Sequence, residues 1–251
     1  MKTVNLYQFN GDPRVPRPWR QCLLEIYEFC NTAVRPFYRE AAEAAIGRAR
    51  DKGLDTIVEL GAGHGPLTRL MVEDPRAEGL RFVVCDLIPA VDQYQELERR
   101  YPGKVTAITE SVDFSRPREW GRGALLLLCA AIHHVPDEAR SEVIRAMSVS
   151  AGGVMVFVPV RKTWLSLVLS LLIVFPALAL PIGFIKRPGT LRRILWCWLL
   201  PVVPLMAGWD ALGGVLRQWS DVQWRCAIAE QTGGNRKPEI NNGLNQQMIA
   251  W

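Results

Sequence analysis

The sequence is short of the residues that build the commonest metal and redox sites. Only three histidines occur in 251 residues, and the six cysteines are scattered without a CxxC pair. Neither set has the spacing of a zinc site, and buried free thiols in a reducing compartment are the simplest interpretation of the cysteines. The first twenty residues contain no apolar core of signal-peptide length, which disfavours secretion. The sequence therefore predicts no metal site and no export.

The chain also has only a small excess of one charge. Lysine and arginine number 30 against 25 acidic residues, a formal net charge of +5. A surplus this mild would favour an anionic surface, a lipid or a nucleic acid without distinguishing them. Hydrophobic residues make up 49% of the chain, enough for the core of one α/β domain with an insertion or a small appendage.

Alternating strand and helix patterns predict the fold class. Apolar and small residues recur at helical spacing over residues 17–52. Short apolar runs then alternate with helical segments, which predicts an α/β fold with a doubly wound, mostly parallel sheet covered on both faces. In the polar tail, only QQMIAW (246–251) is predicted as a strand, at the sheet edge. The five earlier predicted strands are TIVEL (56–60), RFVVCD (81–86), KVTAIT (104–109), ALLLLCA (124–130) and GVMVFVPV (153–160), and the helices between them are 66–74, 90–101 and 137–150.

A glycine-rich loop follows the first predicted strand. The sequence VELGAGHGP (58–66) has the spacing G-x-G-x-G, with an acid two residues before the first glycine. A dinucleotide fingerprint would be G-x-G-x-x-G, and a Walker loop would continue with Gly-Lys-Ser or Gly-Lys-Thr. Pro66 suits the first turn of a helix, where its missing N–H costs nothing. These features predict a strand, a bare turn and a helix, with backbone N–H groups facing a ligand.

The loop and three later landmarks resemble the class I S-adenosylmethionine-dependent methyltransferases over residues 55–160. The motif acid-x-G-x-G-x-G matches Glu59 to Gly65, and Asp86 ends the second predicted strand, where the family binds the ribose. The resemblance implies that S-adenosylmethionine is the cofactor and that TESVDF (109–114) borders its adenine, with Glu110 or, in preference, Asp113 accepting from the amino group. Many members have an aspartate where Gly123 and Ala124 stand. The implied cofactor-binding residues are Glu59, Gly61, Ala62, Gly63, Gly65, Asp86, Leu87, Val112 and Asp113.

The fourth landmark is a pair of histidines after the fourth predicted strand. AAIHHVPDE (130–138) resembles the turn of small-molecule methyltransferases and makes His133 and His134 the candidate catalytic bases. A structural role for either, capping the helix or bonding the turn, is the alternative. His64 is expected to face solvent or the cofactor entrance. The turn lacks the Asp/Asn-Pro-Pro-aromatic motif of nucleic-acid amino-methylating enzymes and the acidic cluster of metal-dependent catechol enzymes, so neither nucleic acid nor a metal is expected.

Two long uncharged runs follow the fifth predicted strand. Residues 163–185 are long enough to cross a bilayer, 194–209 are short for that, and each contains two prolines. Two true spans would place KRPGTLRR (186–193) outside, against the positive-inside tendency. A hairpin embedded from the cytoplasmic side, or helices in the membrane interface, fits better; a hydrophobic substrate lid and a dimer interface are the alternatives. The cations expected to meet anionic lipid are Arg161, Lys162, Lys186, Arg187, Arg192 and Arg193.

The sequence as a whole predicts four segments and one activity. The segments are an N-terminal helical cap (1–52), a cofactor-binding core (53–160), an apolar helical insertion (161–216), and a C-terminal helix with an edge strand (217–251). The predicted function is methyl transfer to a hydrophobic small molecule or lipid-like acceptor at the cytoplasmic side of a membrane. The alternatives are a soluble cytoplasmic methyltransferase with a hydrophobic lid and a non-catalytic membrane adaptor, while the glycine spacing disfavours a nicotinamide oxidoreductase.

Overall fold

A computed structural model describes residues 6–9, 12, 14–114, 120–243 and 247–251, with the backbone alone for 27, 28 and 31–34. Parts of the predicted cap, and Gln246 of the predicted last strand, lie outside these residues. The strands are β1 Thr56–Leu60, β2 Arg81–Cys85, β3 Val105–Ala107, β4 Gly121–Cys129, β5 Ala151–Val158, β6 Glu239–Asn242 and β7 Gln247–Ala250. The helices are α1 Arg17–Asp51, α2 Pro66–Val72, α3 Val91–Arg100, α4 Asp137–Ser150, α5 Trp164–Leu171, α6 Val174–Gly183, α7 Thr190–Ile194, α8 Val202–Leu216 and α9 Asp221–Gln231.

The strands form one seven-stranded sheet in the order β3-β2-β1-β4-β5-β7-β6. The first five strands are parallel, and β7 and β6 are antiparallel. Residues 124–129 of β4 are all buried, and β1 is buried along four of its five positions, because helices cover both faces of the central strands. The predicted doubly wound, mostly parallel sheet is therefore confirmed.

The C-terminal edge of the sheet differs from the prediction. QQMIAW was predicted at the edge, but β7 lies between β5 and β6, and β6 is the outermost strand. The sequence of β6, Glu-Ile-Asn-Asn, is polar at three of its four positions, and asparagine and glutamate are poor strand formers. The strand forms because its backbone pairs with β7 from Glu239↔Ala250 to Asn242↔Gln247, and no local pattern signals that pairing.

The chain divides into two compact units. The sheet unit comprises residues 36–159 and 219–251, and the helical unit comprises the chain up to Arg35 together with Val160–Gln218. The division falls within α1 at Pro36, a residue that cannot donate the helical backbone hydrogen bond. These units group the four predicted segments differently, since the first half of α1 shares a unit with the insertion.

The helical unit has its own core. Buried side chains of α1, α6 and α8 share one apolar cluster, which includes Cys22, Leu23 and Ile26 from α1 and Leu180 and Val203 from the insertion. The helices of the insertion are short, and residues 195–199 form a π-helical turn between α7 and α8. Residues Trp164–Gly183 are long and apolar enough to cross a membrane, and the pair 190–199 and 202–216 passes the same test only as one element bent by 72°. By length and composition, the described residues thus contain one candidate span, or two if the bent pair counts as one.

The insertion leaves a large apolar surface exposed, which we call the apolar belt. Of the 24 large hydrophobic side chains exposed among the described residues, 17 lie between residues 164 and 209. An exposed apolar surface of this extent marks an interaction site in a soluble protein. The belt consists of Trp164, Leu165, Val168, Leu169, Leu171, Leu172, Phe175, Leu178, Ile182, Ile185, Leu191, Leu195, Trp198, Leu199, Leu200, Leu205 and Trp209.

Two of the cations expected at lipid form ion pairs with Glu25 of α1. Arg193 is 1% exposed and binds both carboxylate oxygens of Glu25, Nε to Oε2 at 2.9 Å and Nη2 to Oε1 at 3.0 Å. Its remaining N–H groups donate to the carbonyls of Phe184, Arg187 and Pro188. Arg192 also pairs with Glu25, at 2.6 Å. The prediction of lipid contact was wrong for Arg193, because a carboxylate 168 residues away holds it.

Candidate functional site

The candidate site lies at the carboxyl ends of β1 and β4. The chain runs from β1 outward to β2 and β3 and then returns to β4 on the other side of β1. Open α/β sheets bind ligands in the crevice at such a reversal of strand order. The glycine loop (61–65) follows β1, and the turn with His133 and His134 follows β4. The two loops meet, because a Cβ built on Gly61 would lie 2.8 Å from Ala131 Cβ.

The three glycines of the loop have different constraints. All adopt positive φ, at 69°, 57° and 71° for Gly61, Gly63 and Gly65, where glycine carries no steric penalty. A side chain at Gly61 would strike Ala131, and one at Gly65 would lie 2.9 Å from Leu97 Cδ1. A Cβ at Gly63 would meet nothing within 4 Å. Gly61 and Gly65 therefore allow close packing, whereas Gly63 borders open space.

Most backbone N–H groups of the loop are already used within the protein. The N–H of Ala62 donates to the Cys85 carbonyl, and the N–H of Gly65 donates to the Ala62 carbonyl. Gly63 N donates to Asp86 Oδ2 at 2.8 Å. In the first turn of α2, Pro66 has no N–H, and Thr68 N donates to Glu59. The prediction that these groups face a ligand was therefore wrong for Ala62, Gly63 and Gly65, because the loop is closed by its own hydrogen bonds.

Asp86 links the glycine loop to the loop that follows β2. Its Oδ2 accepts from Gly63 N and its Oδ1 from Ile88 N, at 2.8 and 2.9 Å. A carboxylate oxygen accepts about two hydrogen bonds, so each oxygen keeps a lone pair for a ligand. Next to this carboxylate, Leu87 and Ile88 are 53% and 70% exposed. The combination of an oriented carboxylate and exposed apolar side chains suits a ligand with hydroxyl groups and a flat apolar part.

The loop after β3 is tied to the same position. Val112 N donates to the Asp86 carbonyl at 2.9 Å, and Ser111 Oγ donates to the Leu87 carbonyl at 2.7 Å. Val112 is buried, Asp113 is half-buried and Glu110 is exposed. The structure thus brings the loops carrying the predicted residues Gly63, Asp86, Leu87 and Val112 together, and Asp113 follows directly. Their contacts with a cofactor stay predictions.

Glu59 is buried beneath the loop. Its side chain is 2% exposed, and Oε2 accepts from both the N–H and the hydroxyl of Thr68. Burial raises the pKa of Glu59 to about 7, although the Thr68 hydrogen bonds act in the opposite direction. Glu59 therefore fixes the start of α2 against the end of β1, and its charge depends on pH near neutrality.

Replacing Glu59 by glutamine is expected to change how stability depends on pH. The carboxyl has its usual pKa of 4.5 when unfolded and about 7 when folded, so the folded state binds the proton more tightly. The stabilisation is fully present below pH 4.5 and is lost as pH rises through 7, by about 3 kcal/mol at about 1.4 kcal/mol per pKa unit. Urea unfolding at pH 5 and pH 8 should therefore show a larger fall in unfolding free energy for the wild type than for Glu59→Gln.

The exposed Glu110 provides the control for this pair of measurements. Glu110→Gln removes the same charge from the same unit without removing a buried carboxyl, and it should keep the wild-type pH dependence. If Glu59→Gln and the wild type lose stability in parallel between pH 5 and pH 8, the folded pKa of Glu59 is not raised.

The histidine turn is held from below by a buried arginine. Residues Ile132–His134 form a 3-10 turn, and the two imidazole rings lie 4.2 Å apart. Arg140, 1% exposed, donates to the carbonyls of Val135 at 3.0 Å and His133 at 3.4 Å. Its guanidinium lies 5.4 Å from the Trp219 ring, and the Trp219 indole N–H donates to Asp137. His133 is half-buried and His134 exposed; their catalytic role stays a prediction.

Several residues of the site carried no sequence signal. Ala130, at the end of β4, is the one described non-glycine residue with positive φ, at 55°. Such strain costs about 1–3 kcal/mol and collects at functional sites. Arg140 and Trp219 lie 79 residues apart in sequence, so only the folded chain shows that they meet.

His64 is exposed, as predicted. The described residues contain no group of three or more His, Cys, Asp or Glu side chains suited to a metal ion.

Comparisons with solved structures identify the fold. No family model matches the chain, and no curated protein matches it in sequence. The structure is similar to an O-methyltransferase family protein from Burkholderia thailandensis, with a TM-score of 0.55, 13% identity and coverage of 88% of this chain and 56% of that one. It is also similar to human N-acetylserotonin methyltransferase in complex with SAM, with a TM-score of 0.53, 11% identity and coverage of 93% of this chain and 55% of that one. A putative O-methyltransferase from Nostoc punctiforme matches with a TM-score of 0.55, 14% identity and coverage of 99% of this chain and 64% of that one.

These similarities establish the Rossmann-like methyltransferase fold, as the sequence predicted. The chain spans between 55% and 64% of the length of these three proteins.

Proposed function

We propose that this chain, which has the Rossmann-like fold of S-adenosylmethionine-dependent methyltransferases, is itself a methyltransferase that uses this cofactor. The observation that carries the proposal is the closed glycine loop. A dinucleotide needs free N–H groups at the loop and helix N-terminus for its diphosphate, and here the N–H groups of Ala62, Gly63, Gly65 and Thr68 are occupied. These four groups do not bind a diphosphate while they are occupied, whereas a Cβ position at Gly63 borders open space.

The charges around the loop support the same cofactor. Carboxyl groups stand directly after β2 and in the loop after β3, at Asp86, Glu110 and Asp113. They favour a ligand with positive charge and oppose a diphosphate. S-adenosylmethionine carries a sulfonium and an ammonium group, and its ribose provides the vicinal hydroxyls that the free lone pairs of Asp86 would accept. The residues present therefore fit this cofactor.

Each predicted cofactor residue has a task in this proposal. Asp86 binds the ribose hydroxyls, while Leu87 and Val112 contact the adenine ring. Asp113, or Glu110 as the alternative, accepts from the adenine amino group. Gly63 leaves the space that the cofactor occupies, and Gly61, Ala62 and Gly65 shape the loop around it. Glu59 acts from below by holding Thr68 and the start of α2.

When bound, S-adenosylmethionine supplies a methyl group that its sulfonium has already activated. The protein's main contribution is then alignment of the acceptor, which is worth about 7–11 kcal/mol. If the acceptor is a hydroxyl, His133 or His134 takes its proton, and general base catalysis adds about 10²–10⁴-fold. A carboxylate or an acidic phenol needs no base, and the histidines would then only shape the turn.

The acceptor we propose is a hydrophobic small molecule or a lipid-like compound, taken up at the cytoplasmic side of a membrane. The support is the apolar belt, because 17 exposed apolar side chains need a cover. A membrane supplies this cover and also concentrates apolar acceptors. Nucleic acid is not proposed as a substrate.

Incubation with labelled S-adenosylmethionine and fractionated membrane and metabolite extracts tests the activity. We expect label in an extractable apolar product, identified by mass spectrometry. At a cofactor concentration below the wild-type Kd, Asp86→Ala should lower the labelling by about 10- to 150-fold. Label confined to water-soluble products would refute the hydrophobic acceptor, and no transfer to any fraction would leave a binding protein on a methyltransferase fold.

Asp86→Ala is expected to weaken cofactor binding by about 1.5–3 kcal/mol, the contribution of hydrogen bonds to a charged group. Isothermal titration with S-adenosylmethionine measures the loss directly. Asp92→Ala is the matched control, since it removes an equal charge from the exposed first turn of α3 and should bind like the wild type. Equal affinities for Asp86→Ala and Asp92→Ala would place the ribose elsewhere.

A further inference from the structure

Several polar groups at the apolar belt are paired within the protein. Trp198 and Trp209 are 46% and 44% exposed, yet their indole N–H groups donate to the carbonyls of Leu178 at 2.7 Å and Tyr7 at 2.8 Å. The hydroxyls of Ser170 and Thr190 donate to the carbonyls of Leu167 and Ile185. Burial of a polar group costs free energy only when it has no partner. The belt can therefore enter hydrocarbon without leaving these donors unpaired.

Positive charge at the belt favours anionic lipid over a second copy of the chain. Lys186 and Arg187 are exposed, and the Arg187 guanidinium lies 4.1 Å from the Phe184 ring. No acidic residue occurs between Glu142 and Asp210. A two-fold symmetric dimer pairs the same surface with itself, and residues 143–209 would bring no carboxylate to such an interface. Anionic headgroups attract exposed cations near a membrane surface.

The pair formed by Glu25 and Arg193 determines which parts of the unit must enter the membrane together. Arg193 joins the carbonyls of residues 184, 187 and 188, at the end of α6, to Glu25 of α1. Cys22, Leu23 and Ile26 of α1 also share the core of α6 and α8. If α6 crossed the bilayer, residues 17–26 of α1 would accompany it, with Arg17, Arg20 and Glu25. Each charged side chain costs at least about 2.5–3.5 kcal/mol at the bilayer centre.

We propose that the helical unit docks on one leaflet of an anionic membrane as a preformed hairpin and does not span the bilayer. The belt enters the leaflet to the usual interfacial depth of about 5–10 Å, and Lys186 and Arg187 remain among the headgroups. The carbonyls near the bend after α6 are held by Arg193, so the turn itself needs no water. This mode of docking rests on the membrane part of the proposed function and is independent of methyl transfer.

The proposal is tested on the full chain in cell membranes by finding from which side of the membrane each of two cysteines can be labelled. Cys226, the one exposed cysteine, reports on the sheet unit. Lys186→Cys in a Cys226→Ser background reports on the loop after α6, and Cys226→Ser alone is the blank. An impermeant maleimide is applied to right-side-out and to inside-out vesicles. We expect both reporters to react only in inside-out vesicles. If Lys186→Cys reacts in one type of vesicle and Cys226 in the other, the chain spans the bilayer between them and the proposal is overturned.

Lipid preference provides the second measurement. The wild type should sediment with vesicles of phosphatidylcholine and phosphatidylglycerol and be only partly released by 1 M salt, where the screening length is about 3 Å. Lys186→Gln with Arg187→Gln should weaken partitioning by about 30-fold, since each cation near an anionic surface contributes a factor of about five. Neutral vesicles should show little change. Arg225→Gln with Lys237→Gln removes two exposed cations of the sheet unit and should leave partitioning unchanged.

Three results would overturn the proposal in this assay. The first is a wild type that stays in the supernatant with both vesicle types. The second is a soluble dimer in which the belt is protected from hydrogen exchange. The third is an equal loss of partitioning onto anionic vesicles for the two double charge variants. Methyl transfer to detergent-dispersed acceptor is measured in parallel. Active protein without vesicle binding refutes only the docking, and bound protein without transfer refutes only the activity.

Discussion

Gly63→Val is expected to abolish S-adenosylmethionine binding in a protein that still folds. The residue has a φ of 57°, and a Cβ there would meet no atom of the protein within 4 Å. A valine therefore disturbs no packing; it projects into the space we assign to the cofactor. Its N–H to Asp86 bond depends on the backbone alone and is compatible with the substitution. Calorimetric titration should show no binding, while circular dichroism remains like that of the wild type.

The control for this variant must carry the same backbone strain. Gly79 has a φ of 78° and equally open space around its Cβ position, and it lies before β2, away from the glycine loop. Gly79→Val should lose about 1–2 kcal/mol of stability from left-handed backbone and bind the cofactor normally. A folded Gly63→Val protein that binds as tightly as Gly79→Val would refute the assignment of the glycine loop as the cofactor site.

Arg193→Met is expected to be the most destabilising single substitution in the helical unit, by about 3–5 kcal/mol, the cost of breaking a buried ion pair. The variant keeps an unbranched chain of similar length but removes every N–H group that binds Glu25 and the carbonyls of Phe184, Arg187 and Pro188. These carbonyls then lose a donor, and Glu25 loses its buried partner. The loss is measurable as a fall in the denaturant midpoint by tryptophan fluorescence, because Trp196 and Trp198 lie in this unit.

Arg192→Met is the matched comparison, since the neighbouring arginine binds the same carboxylate. Arg192 is 25% exposed at its side chain and pairs with Glu25 and Gln21 at the surface of the unit, so its loss should cost about 1 kcal/mol or less. Arg193→Lys should lie between the two variants, because an ammonium lacks the planar fork that binds two oxygens. Equal destabilisation by Arg192→Met and Arg193→Met would show that burial of Arg193 contributes nothing.

The parts of the fold that could be predicted from sequence are those with a local signal. The strand Thr56–Leu60, the turn at Gly61 and the helix from Pro66 follow from an apolar run, glycine spacing and a proline. Asp86 was predicted as the last residue of the second strand and lies directly after β2, one residue beyond its end. Each of these features depends on neighbours within a few residues. They fix where the strands of the sheet end, and therefore where the site lies.

The parts that could not be predicted depend on partners far along the chain. Arg193 was expected at lipid because its neighbours are apolar, yet its environment is decided by Glu25. The strand β6 exists through its pairing with β7. The occupied N–H of Gly63 depends on Asp86, 23 residues away. In each case a polar group finds its partner only in the folded chain, and composition at the position carries no trace of that partner.

The helical unit is assembled from two distant parts of the chain, and this has a consequence during synthesis. Leu23 of α1 shares a core with Val203 of α8, and the 180 residues between them take about 10–40 s to translate. Throughout that interval, the apolar stripe of α1 has emerged without its permanent cover. The sheet unit likewise lacks β7 and β6 until the last residues appear. A newly made chain is therefore expected to be most prone to aggregation before Arg193 reaches Glu25, and a holding chaperone or early membrane contact would lower that risk.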